Sequence, residues 1–204
     1  MSTQFTSADL AKAAEAIAAG VKGATDELNQ QDGLLGDGDL GITVSAGWQA
    51  VADVASKFPA DVGQALLASA KAFQQVSSSS FGTMVASALM AAAKRTNGRT
   101  EVPWSDVAEL IAAARDAMLS RGKGALGDKT VMDSLEAVRV ALAGGAEPAR
   151  MRSAALAAAE AALAEFRMRP NKLGRARMFA ERSVGIDDPG MLAFARIVAS
   201  LPER

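Results

Sequence analysis

Apolar residues recur along this chain at the three- and four-residue spacing of amphipathic helices. In the first such segment Leu10, Ala14, Ile17 and Val21 fall on one face, and Ser7 stands where a helix cap is expected. No segment alternates convincingly with the period of two that a half-buried strand requires. The pattern therefore predicts eight helices and no sheet, over about residues 7–28, 42–58, 61–75, 84–96, 103–118, 130–144, 148–166 and from 189 onward.

Four unusual loops separate the predicted helices and lie roughly two helices apart. They are an acidic loop after the first helix, a serine-rich loop (76–83), a loop rich in glycine and basic residues (121–130), and a long loop (167–188) with a short helical piece near 176–181. Loops two helices apart emerge at the same end of an up-and-down bundle. The chain is therefore predicted to form one all-α domain, residues 1–204, with its functional groups gathered at one end.

The composition narrows the chemistry that this chain can perform. Half of the residues are hydrophobic but only 4% are aromatic, which favours helices packed closely through small side chains. The net charge of −1 comes without a basic stripe, so nothing indicates nucleic acid as a partner. The absence of cysteine and histidine excludes disulfides, thiolate zinc sites and histidine-based triads. Carboxylates, cations, hydroxyls and backbone groups must carry the chemistry.

The sequence shows no membrane span and no targeting signal. Each apolar run is short and is interrupted by Lys, Glu, Asp or Gln. The first residues, Met-Ser-Thr-Gln, lack the charged and apolar regions of a signal peptide. These observations predict a cytoplasmic protein with no membrane partner.

The densest cluster of functional groups is the acidic loop, where Gly36-Asp37-Gly38-Asp39-Leu40-Gly41 follows Asp32. Three carboxylates so close together repel one another unless a cation neutralises them. Mg²⁺ is commonly held by protein carboxylates together with phosphate oxygens and water, and glycines let the backbone turn tightly beside such a ligand. The loop therefore predicts a Mg²⁺–phosphate site, while a solvated Asp-Gly turn is the common outcome for such a motif alone.

Two other motifs overlap the acidic loop. Its glycines match the spacing of a dinucleotide-binding fingerprint with Asp61 downstream, but the polar segment 25–32 provides no preceding strand. An EF-hand loop that starts at Asp37 needs a bidentate glutamate at its twelfth position, where Trp48 stands. Neither motif has the context that it requires.

The other three loops also offer groups that bind phosphate. Ser77–Ser80 precede a helix, whose free N–H groups suit an anion, although serines also serve simply as caps. Gly127–Thr130 opens a helix with a capping pattern. Arg175 in the last loop offers a fork of donors to phosphate oxygens, although an Arg/Glu run is also typical of a solvated face. Asp188-Pro189 is a strong helix start.

Taken together, these motifs resemble the nucleotide-binding L subunit of dihydroxyacetone kinases, the DAK2 domain family. The family pattern has an Asp shortly before Gly-Asp-x-Asp-x-Gly, then a small-residue loop, then Gly-Asp-(Lys/Arg)-Thr, and finally Gly-Arg-Ala-x-x-x-x-Glu-Arg-Ser-x-Gly-x-x-Asp-Pro-Gly. The matching elements here are Asp32 with Gly36–Gly41, Ser77–Ser80, Gly127–Thr130 and Gly174–Gly190. The resemblance therefore covers essentially the whole chain.

The resemblance implies an antiparallel barrel of eight helices with a nucleotide bound at one end. Asp32, Asp37 and Asp39 would hold two Mg²⁺ ions that bridge the phosphates of ADP or ATP, and Arg175 would complete the catalytic set. Metals and helix N-termini neutralise phosphoryl charge during transfer, so little covalent work is asked of the protein. The positions where family members contact the nucleotide are Leu40, Gly41, Ile42, Thr43, Ser79, Ser80, Gly122, Val131, Arg175, Asp188, Pro189 and Gly190.

The implied function is that of a phosphotransferase, the phosphoryl-donating subunit of a kinase for dihydroxyacetone or a related small ketose. In the family the ketose binds through a histidine on a separate K subunit or domain, and this chain has no histidine to supply. The donor is either exchanging ATP or a bound ADP that a sugar-phosphotransferase phosphocarrier rephosphorylates. Departures from the family pattern, such as Leu40 in place of a frequent His, Cys or Thr, leave the donor and the ketose open, with erythrulose as one candidate.

Two other functions stay open at this point. A nucleotide-binding regulatory partner without turnover of its own would keep the same acids for nucleotide-dependent docking. The second of these alternatives is a kinase subunit for a non-sugar substrate, because related domains occur in a fatty-acid kinase. That system joins the domain to a lipid-binding arrangement, and we expect no such extension because the sequence ends at Arg204. A homodimer is also compatible with the sequence.

Overall fold

The computed structural model describes residues 2–77, 79–145 and 147–203, and helices dominate it. Ser78 of the serine-rich loop and the last residue, Arg204, lie outside the described residues. The described parts contain nine α-helices, two 3₁₀ segments and one pair of short strands. The bounds are β1 Gln4–Thr6, α1 Ser7–Gly23, α2 Thr25–Gly33, α3 Leu40–Ala55, α4 Val62–Val76, α5 Ser80–Thr96, β2 Glu101–Pro103, a 3₁₀ turn Trp104–Asp106, α6 Val107–Gly122, α7 Val131–Leu142, α8 Pro148–Phe166, a 3₁₀ segment Arg175–Ser183 and α9 Pro189–Ala199.

Within the described residues, eight of these helices form a closed ring. Neighbour contacts run from α1 to α3 and then in chain order to α9, which packs back on α1. Most of the connections are short, as expected for helices that run alternately up and down, and the long exception is the loop between α8 and α9. The remaining helix, α2, packs against α3 and α9 at one end of the ring. The predicted all-α antiparallel barrel is therefore confirmed.

The prediction of one continuous helix over residues 7–28 is wrong, because the chain breaks at Ala24. Ala24 has φ −96° and ψ 2°, and its N–H donates to the carbonyls of Val21 and Lys22, which tightens the last turn of α1. The Thr25 hydroxyl also donates to the Val21 carbonyl (3.3 Å). Such local bonds of threonine compete with the regular helix. A separate helix α2 results, which explains nine helices where eight were predicted.

The prediction that the chain has no sheet is also wrong. β1 and β2 form an antiparallel pair in which Phe5 lies opposite Val102. Both residues are buried with Val62, and the Phe5 ring centroid lies 4.9 Å from that of Trp104. Strands of three residues are too short to show an alternating pattern. The pair anchors the start of the chain beside α6.

Small residues let the barrel helices approach closely. Gly47 of α3 faces Phe73 of α4, and a Cβ added to Gly47 would overlap the phenyl ring. Phe73 is fully buried, and the Trp48 ring meets it edge-on with centroids 5.9 Å apart.

None of the helices within residues 2–77, 79–145 and 147–203 has the length and the apolar composition needed to cross a membrane.

Three helix starts follow the predicted capping signals, but the prediction that Ser7 caps the first helix is wrong, because Thr6 forms a capping box with Asp9 and Ser7 is already helical. Asp61 accepts a hydrogen bond from the Gln64 N–H (2.9 Å) before α4, and Thr130 forms a capping box with Asp133 before α7. Asp188 accepts from the Met191 N–H (2.9 Å) before α9, with Pro189 in the first helical position. These caps fix where three helices begin. Two of these starts, those of α7 and α9, face the cavity described next.

Candidate active site

Four barrel helices begin around one cavity of about 210 Å³. Its lining includes first-turn residues of α3, α5, α7 and α9. The cap residues of these helices are Asp39, Ser79, Thr130 and Asp188. A helix start presents N–H groups that lack a partner within the helix, together with partial positive charge. Four starts around one cavity make a strong site for an anion such as phosphate.

The acidic loop forms one side of this cavity. Asp32, in the last turn of α2, accepts hydrogen bonds at Oδ2 from the N–H groups of Gly38 (2.9 Å) and Asp39 (3.2 Å). Gly38 has φ 76°, a left-handed conformation that glycine adopts without strain. One carboxylate oxygen from each of Asp32, Asp37 and Asp39 lies within 4.8 Å of the other two. The structure therefore brings the three acids together, and their role as metal ligands stays a prediction.

The electrostatics of the three carboxylates suit a hard divalent cation. Burial raises the pKa of Asp32 above its ordinary value; the Gly38 and Asp39 amides oppose this effect, and the charges of Asp37 and Asp39 add to it. A bound cation would relieve the repulsion, and Mg²⁺ prefers oxygen ligands. The residues present therefore fit Mg²⁺, with Asp32 partly buried and Asp37 and Asp39 exposed.

Arg175 connects the last loop to the acidic loop. Its guanidinium forms an ion pair with the Asp37 carboxylate, and both side chains are about half exposed. The hydrogen bond from Arg175 holds the pKa of Asp37 below its ordinary value. Arg175 therefore stands beside the three carboxylates, at the edge of the cavity, with part of its guanidinium open to a ligand.

Asn29 is a site residue that the sequence interpretation missed. Its Oδ1 accepts hydrogen bonds from the N–H groups of Gly41 (2.8 Å) and Ile42 (3.2 Å) at the start of α3. The side chain thus caps α3 from the neighbouring helix α2 and fixes the far end of the acidic loop. Gly41 is buried at the same place against Thr25. A polar residue in a polar helix gives no sequence signal for such a long-range cap.

The serine-rich loop caps a helix and also lines the cavity. Ser79 Oγ accepts a hydrogen bond from the Gly82 N–H (3.0 Å) and so caps α5. The Ser77 and Ser79 hydroxyls also lie 3.1 Å apart. Ser79 and the exposed Ser80 line the cavity. The serines therefore shape the start of α5 and place hydroxyl groups beside the anion site.

Asp188 is held by a buried polar network. Its Oδ1 accepts from Asn171 Nδ2 (2.7 Å), while Oδ2 caps α9. Burial raises the pKa of Asp188 to about 6, against the effect of the hydrogen bonds from Met191 and Asn171. The carboxyl group faces inward to its own helix, so Asp188 shapes the cavity wall mainly as a cap.

One wall of the cavity is apolar. It is formed by side chains from four different segments, which no single sequence motif brings together. A flat apolar group such as a nucleobase would fit beside such a wall, because ligand sites combine apolar surface with a few placed polar groups. The larger apolar side chains of this lining include those of Leu35, Phe81, Met84, Met132 and Leu173.

The structure gathers most, but not all, of the predicted nucleotide-contacting residues. Gly41 lies buried between α2 and α3, and Ile42 is 60% exposed on α3. Gly122, at the end of α6, lies next to Met84 and Leu173 behind the cavity wall. These three are outside the cavity lining. The predicted residues that do line it are Asp32, Asp37, Asp39, Leu40, Thr43, Ser79, Ser80, Val131, Arg175, Asp188, Pro189 and Gly190.

The barrel and its cavity define an all-α protein whose acidic cluster lies beside four helix starts. The family model described as the DAK2 domain matches residues 34–203. This is most of the chain, from just after Asp32 to the last described residue. The chain therefore belongs to the DAK2 domain family.

Curated relatives fall into two length classes. D-erythrulose kinase of Mycolicibacterium smegmatis is 33% identical over 194 residues, which cover 91% of this chain and 33% of that protein. The ADP-binding subunit DhaL of PEP-dependent dihydroxyacetone kinase 2 from Listeria innocua is 32% identical over 171 residues, covering 81% of this chain and 79% of the relative. The chain thus spans about a third of the first relatives and most of the shorter one.

A solved structure shares the fold. The crystal structure of the dihydroxyacetone kinase from C. freundii in complex with AMP-PNP and Mg²⁺ superposes with a TM-score of 0.73 at 22% identity. The match covers 93% of this chain and 32% of that chain. At this identity the likeness supports the barrel fold and no particular residue.

Proposed function

We propose that this chain is the nucleotide-binding, phosphoryl-donating unit of a kinase for dihydroxyacetone or a related small ketose. The observation that carries the proposal is that positively polarised helix starts and negatively charged carboxylates line the same cavity. Four helix starts there favour an anion, and three carboxylates beside them favour a divalent cation. A Mg²⁺-bound nucleotide carries both. A plain solvated turn would not need four helices to begin at the same place.

The roles of the residues follow from their positions. Asp32, Asp37 and Asp39 would hold Mg²⁺, and two ions are proposed as in the family resemblance. The metal, when bound, supplies positive charge to the phosphate oxygens. The starts of α3 and α5 would donate N–H groups to the phosphates, and the start of α9 would add its partial positive charge. The apolar wall would receive the base. Arg175, beside Asp37, would place its remaining donors on the phosphate oxygens of the nucleotide and help to neutralise the negative charge that is spread over the phosphoryl oxygens in the transition state.

The proposed acceptor is a ketose held outside these residues. Relatives are named as kinases of erythrulose and of dihydroxyacetone, which supports a small ketose as the substrate class. The ketose would sit on a K-type unit, as a separate chain or as another part of a longer protein, with its hydroxyl presented to the cavity mouth. The phosphoryl donor is ATP that exchanges, or bound ADP that a phosphocarrier protein rephosphorylates.

Turnover with a K-type unit tests this proposal. The protein is combined with a ketose-binding K unit, Mg²⁺ and ATP, and the ketose phosphate is measured with dihydroxyacetone and with erythrulose. Asp37→Asn is expected to lower turnover by at least a hundredfold, because it removes a metal ligand and the partner of Arg175. Asp26→Asn is the matched control, since Asp26 is an exposed acid on the same helix as Asp32.

Each outcome separates the candidate functions. Ketose phosphate made by the wild type and the control, but not by Asp37→Asn, supports the kinase unit. A stable complex with a partner that requires Mg-nucleotide but gives no turnover with any ketose would instead favour a regulatory protein. Equal turnover by Asp37→Asn and the control would contradict the role of the acidic loop.

A further inference from the structure

Lys129 is a buried lysine that the proposed chemistry does not use. It directly precedes Thr130, the cap of α7, and has a left-handed backbone conformation with φ 60°. Its side chain is fully buried. The ammonium nitrogen donates to three main-chain carbonyls, those of Arg167 (3.0 Å), Arg169 (2.8 Å) and Ser183 (2.7 Å). Each N–H of the ammonium therefore has an acceptor.

The three carbonyl oxygens surround the Lys129 ammonium as they would surround a bound cation. Burying an ammonium is costly unless its hydrogen bonds are complete, and here they are. Burial lowers the pKa of Lys129, while the charges of Asp188 and Asp187 oppose that effect and the charge of Arg167 adds to it. Since the acceptors are all backbone atoms, the side chain fixes the course of the main chain.

The three carbonyls belong to the two ends of one loop, residues 167–185, which we call the Arg175 segment. Its ends also meet directly, because the Gly185 N–H donates to the Arg167 carbonyl (2.9 Å). Asn171 ties the segment further, with Nδ2 donating to the Lys129 carbonyl (2.8 Å) and to Asp188 Oδ1. Lys129 thus sits inside the base of the segment, and Arg175 projects from the segment to Asp37.

We propose that Lys129 is a positioning residue for phosphoryl transfer, which holds the base of the Arg175 segment and thereby keeps Arg175 over the phosphate cavity. The inference rests on the proposed function, since Arg175 acts there on the nucleotide. Lys129 does not line the cavity and acts only through the segment. Without the ammonium, the Arg169 carbonyl would lose its donor, while the Arg167 and Ser183 carbonyls would keep only the N–H groups of Gly185 and Ile186. The two ends of the segment would then lose the charged group that joins them, and the base of the segment would open.

Lys129→Met removes the charge and keeps the length of the side chain, and Lys123→Met is its matched control. Lys123 lies in the same loop, also has a left-handed conformation (φ 52°), but is exposed. The first measurement is cleavage by trypsin at exposed basic residues of the segment, such as Arg175, Arg177 and Arg182. Opening of the base should raise the cleavage rate at least fivefold in Lys129→Met, because proteolysis follows local opening, and leave Lys123→Met unchanged.

The second measurement is a double-mutant cycle for the affinity of Mg-ADP. Lys129→Met and Arg175→Ala are each expected to weaken binding roughly tenfold or more, the effect of losing a charged hydrogen bond to phosphate. If Lys129 acts through Arg175, the double variant binds no more weakly than Arg175→Ala alone. A purely structural role would instead give additive losses. Lys129→Gln, which keeps two N–H donors, replaces Lys129→Met if that variant fails to fold.

The outcomes distinguish this inference from the proposed function. Faster cleavage together with a non-additive cycle supports the positioning role. A wild type that binds Mg-ADP while Lys129→Met behaves like Lys123→Met, or a fully additive cycle, overturns the inference and leaves the proposed function standing. A wild type that binds no Mg-ADP overturns both.

Discussion

Gly41→Ala has two opposing effects on stability: it favours the helical conformation of α3, but it creates a clash between α3 and α2. Gly41 lies in the first turn of α3, where alanine ordinarily stabilises a helix by about 0.5–1 kcal/mol relative to glycine. Here an added Cβ would overlap the carbonyl oxygen of Thr25 and lie 2.8 Å from Asn29 Oδ1. Real Cβ contacts do not fall below 3.0 Å, so α2 and α3 must separate.

The net cost follows from these opposing terms. Forcing a methyl group into a packed contact between helices costs about 1–3 kcal/mol. Separation of α2 from α3 also weakens the cap that Asn29 supplies, a loss of about 1 kcal/mol. After the helix-propensity gain, we expect a loss of about 1–3 kcal/mol in the free energy of unfolding. For a chain of this size that lowers the Tm by roughly 3–10 °C.

Thermal unfolding and Mg-ADP titration of the variant measure both effects. Because Asn29 and Gly41 fix the acidic loop, the affinity for Mg-ADP should fall along with the Tm. Gly23→Ala is the control, since Gly23 ends α1 and an added Cβ there meets no atom within 4 Å. A Gly41→Ala protein as stable as Gly23→Ala, with unchanged affinity, would refute the packing argument.

Three further predictions concern single groups. The raised pKa of Asp188 means that its carboxyl group binds a proton more tightly in the native state than in the unfolded state. The contribution of Asp188 to the free energy of unfolding therefore falls as the pH rises from about 4 to 6. Asp188→Asn should remove roughly 3 kcal/mol of this pH dependence, which urea unfolding from pH 4 to 7 measures. Hydrogen bonds from Arg139 and Arg115 lower the pKa of Glu136 to about 2, so Glu136→Gln should cost below about 1 kcal/mol at pH 7, a difference that fades as the pH falls from 4.5 towards 2. Ser79→Ala removes the cap of α5 and should cost about 1 kcal/mol in unfolding experiments; no loss would mean that the Gly82 N–H finds another acceptor.

Local signals in the sequence predicted much of the fold. Helix starts at Asp61, Thr130 and Asp188 follow from residue types whose side chains cap helices, and the structure has those caps. The gathering of the four loops at one end follows from the alternation of helix direction, which needs no knowledge of side-chain packing. The acidic cluster was also predictable, because its three acids lie within one short loop.

The missed features depend on contacts between residues far apart in the chain. Nothing in the local sequence indicates that Lys129 is buried, because its acceptors lie at residues 167–183 and exist only once the last loop folds. Asn29 caps α3 from another helix in the same way. The break at Ala24 arises from backbone bonds that periodicity does not encode. The short strands carry too few residues for any pattern.

Isothermal titration of the wild-type protein with ADP, in Mg²⁺ and in EDTA, tests the central claim most directly. The claim is that the three carboxylates and the four helix starts form one site for a metal-bound nucleotide. It predicts saturable binding of one ADP per chain in Mg²⁺, lost in EDTA and lost in Asp37→Asn. Absence of binding in Mg²⁺, or binding of equal strength in EDTA, would contradict it.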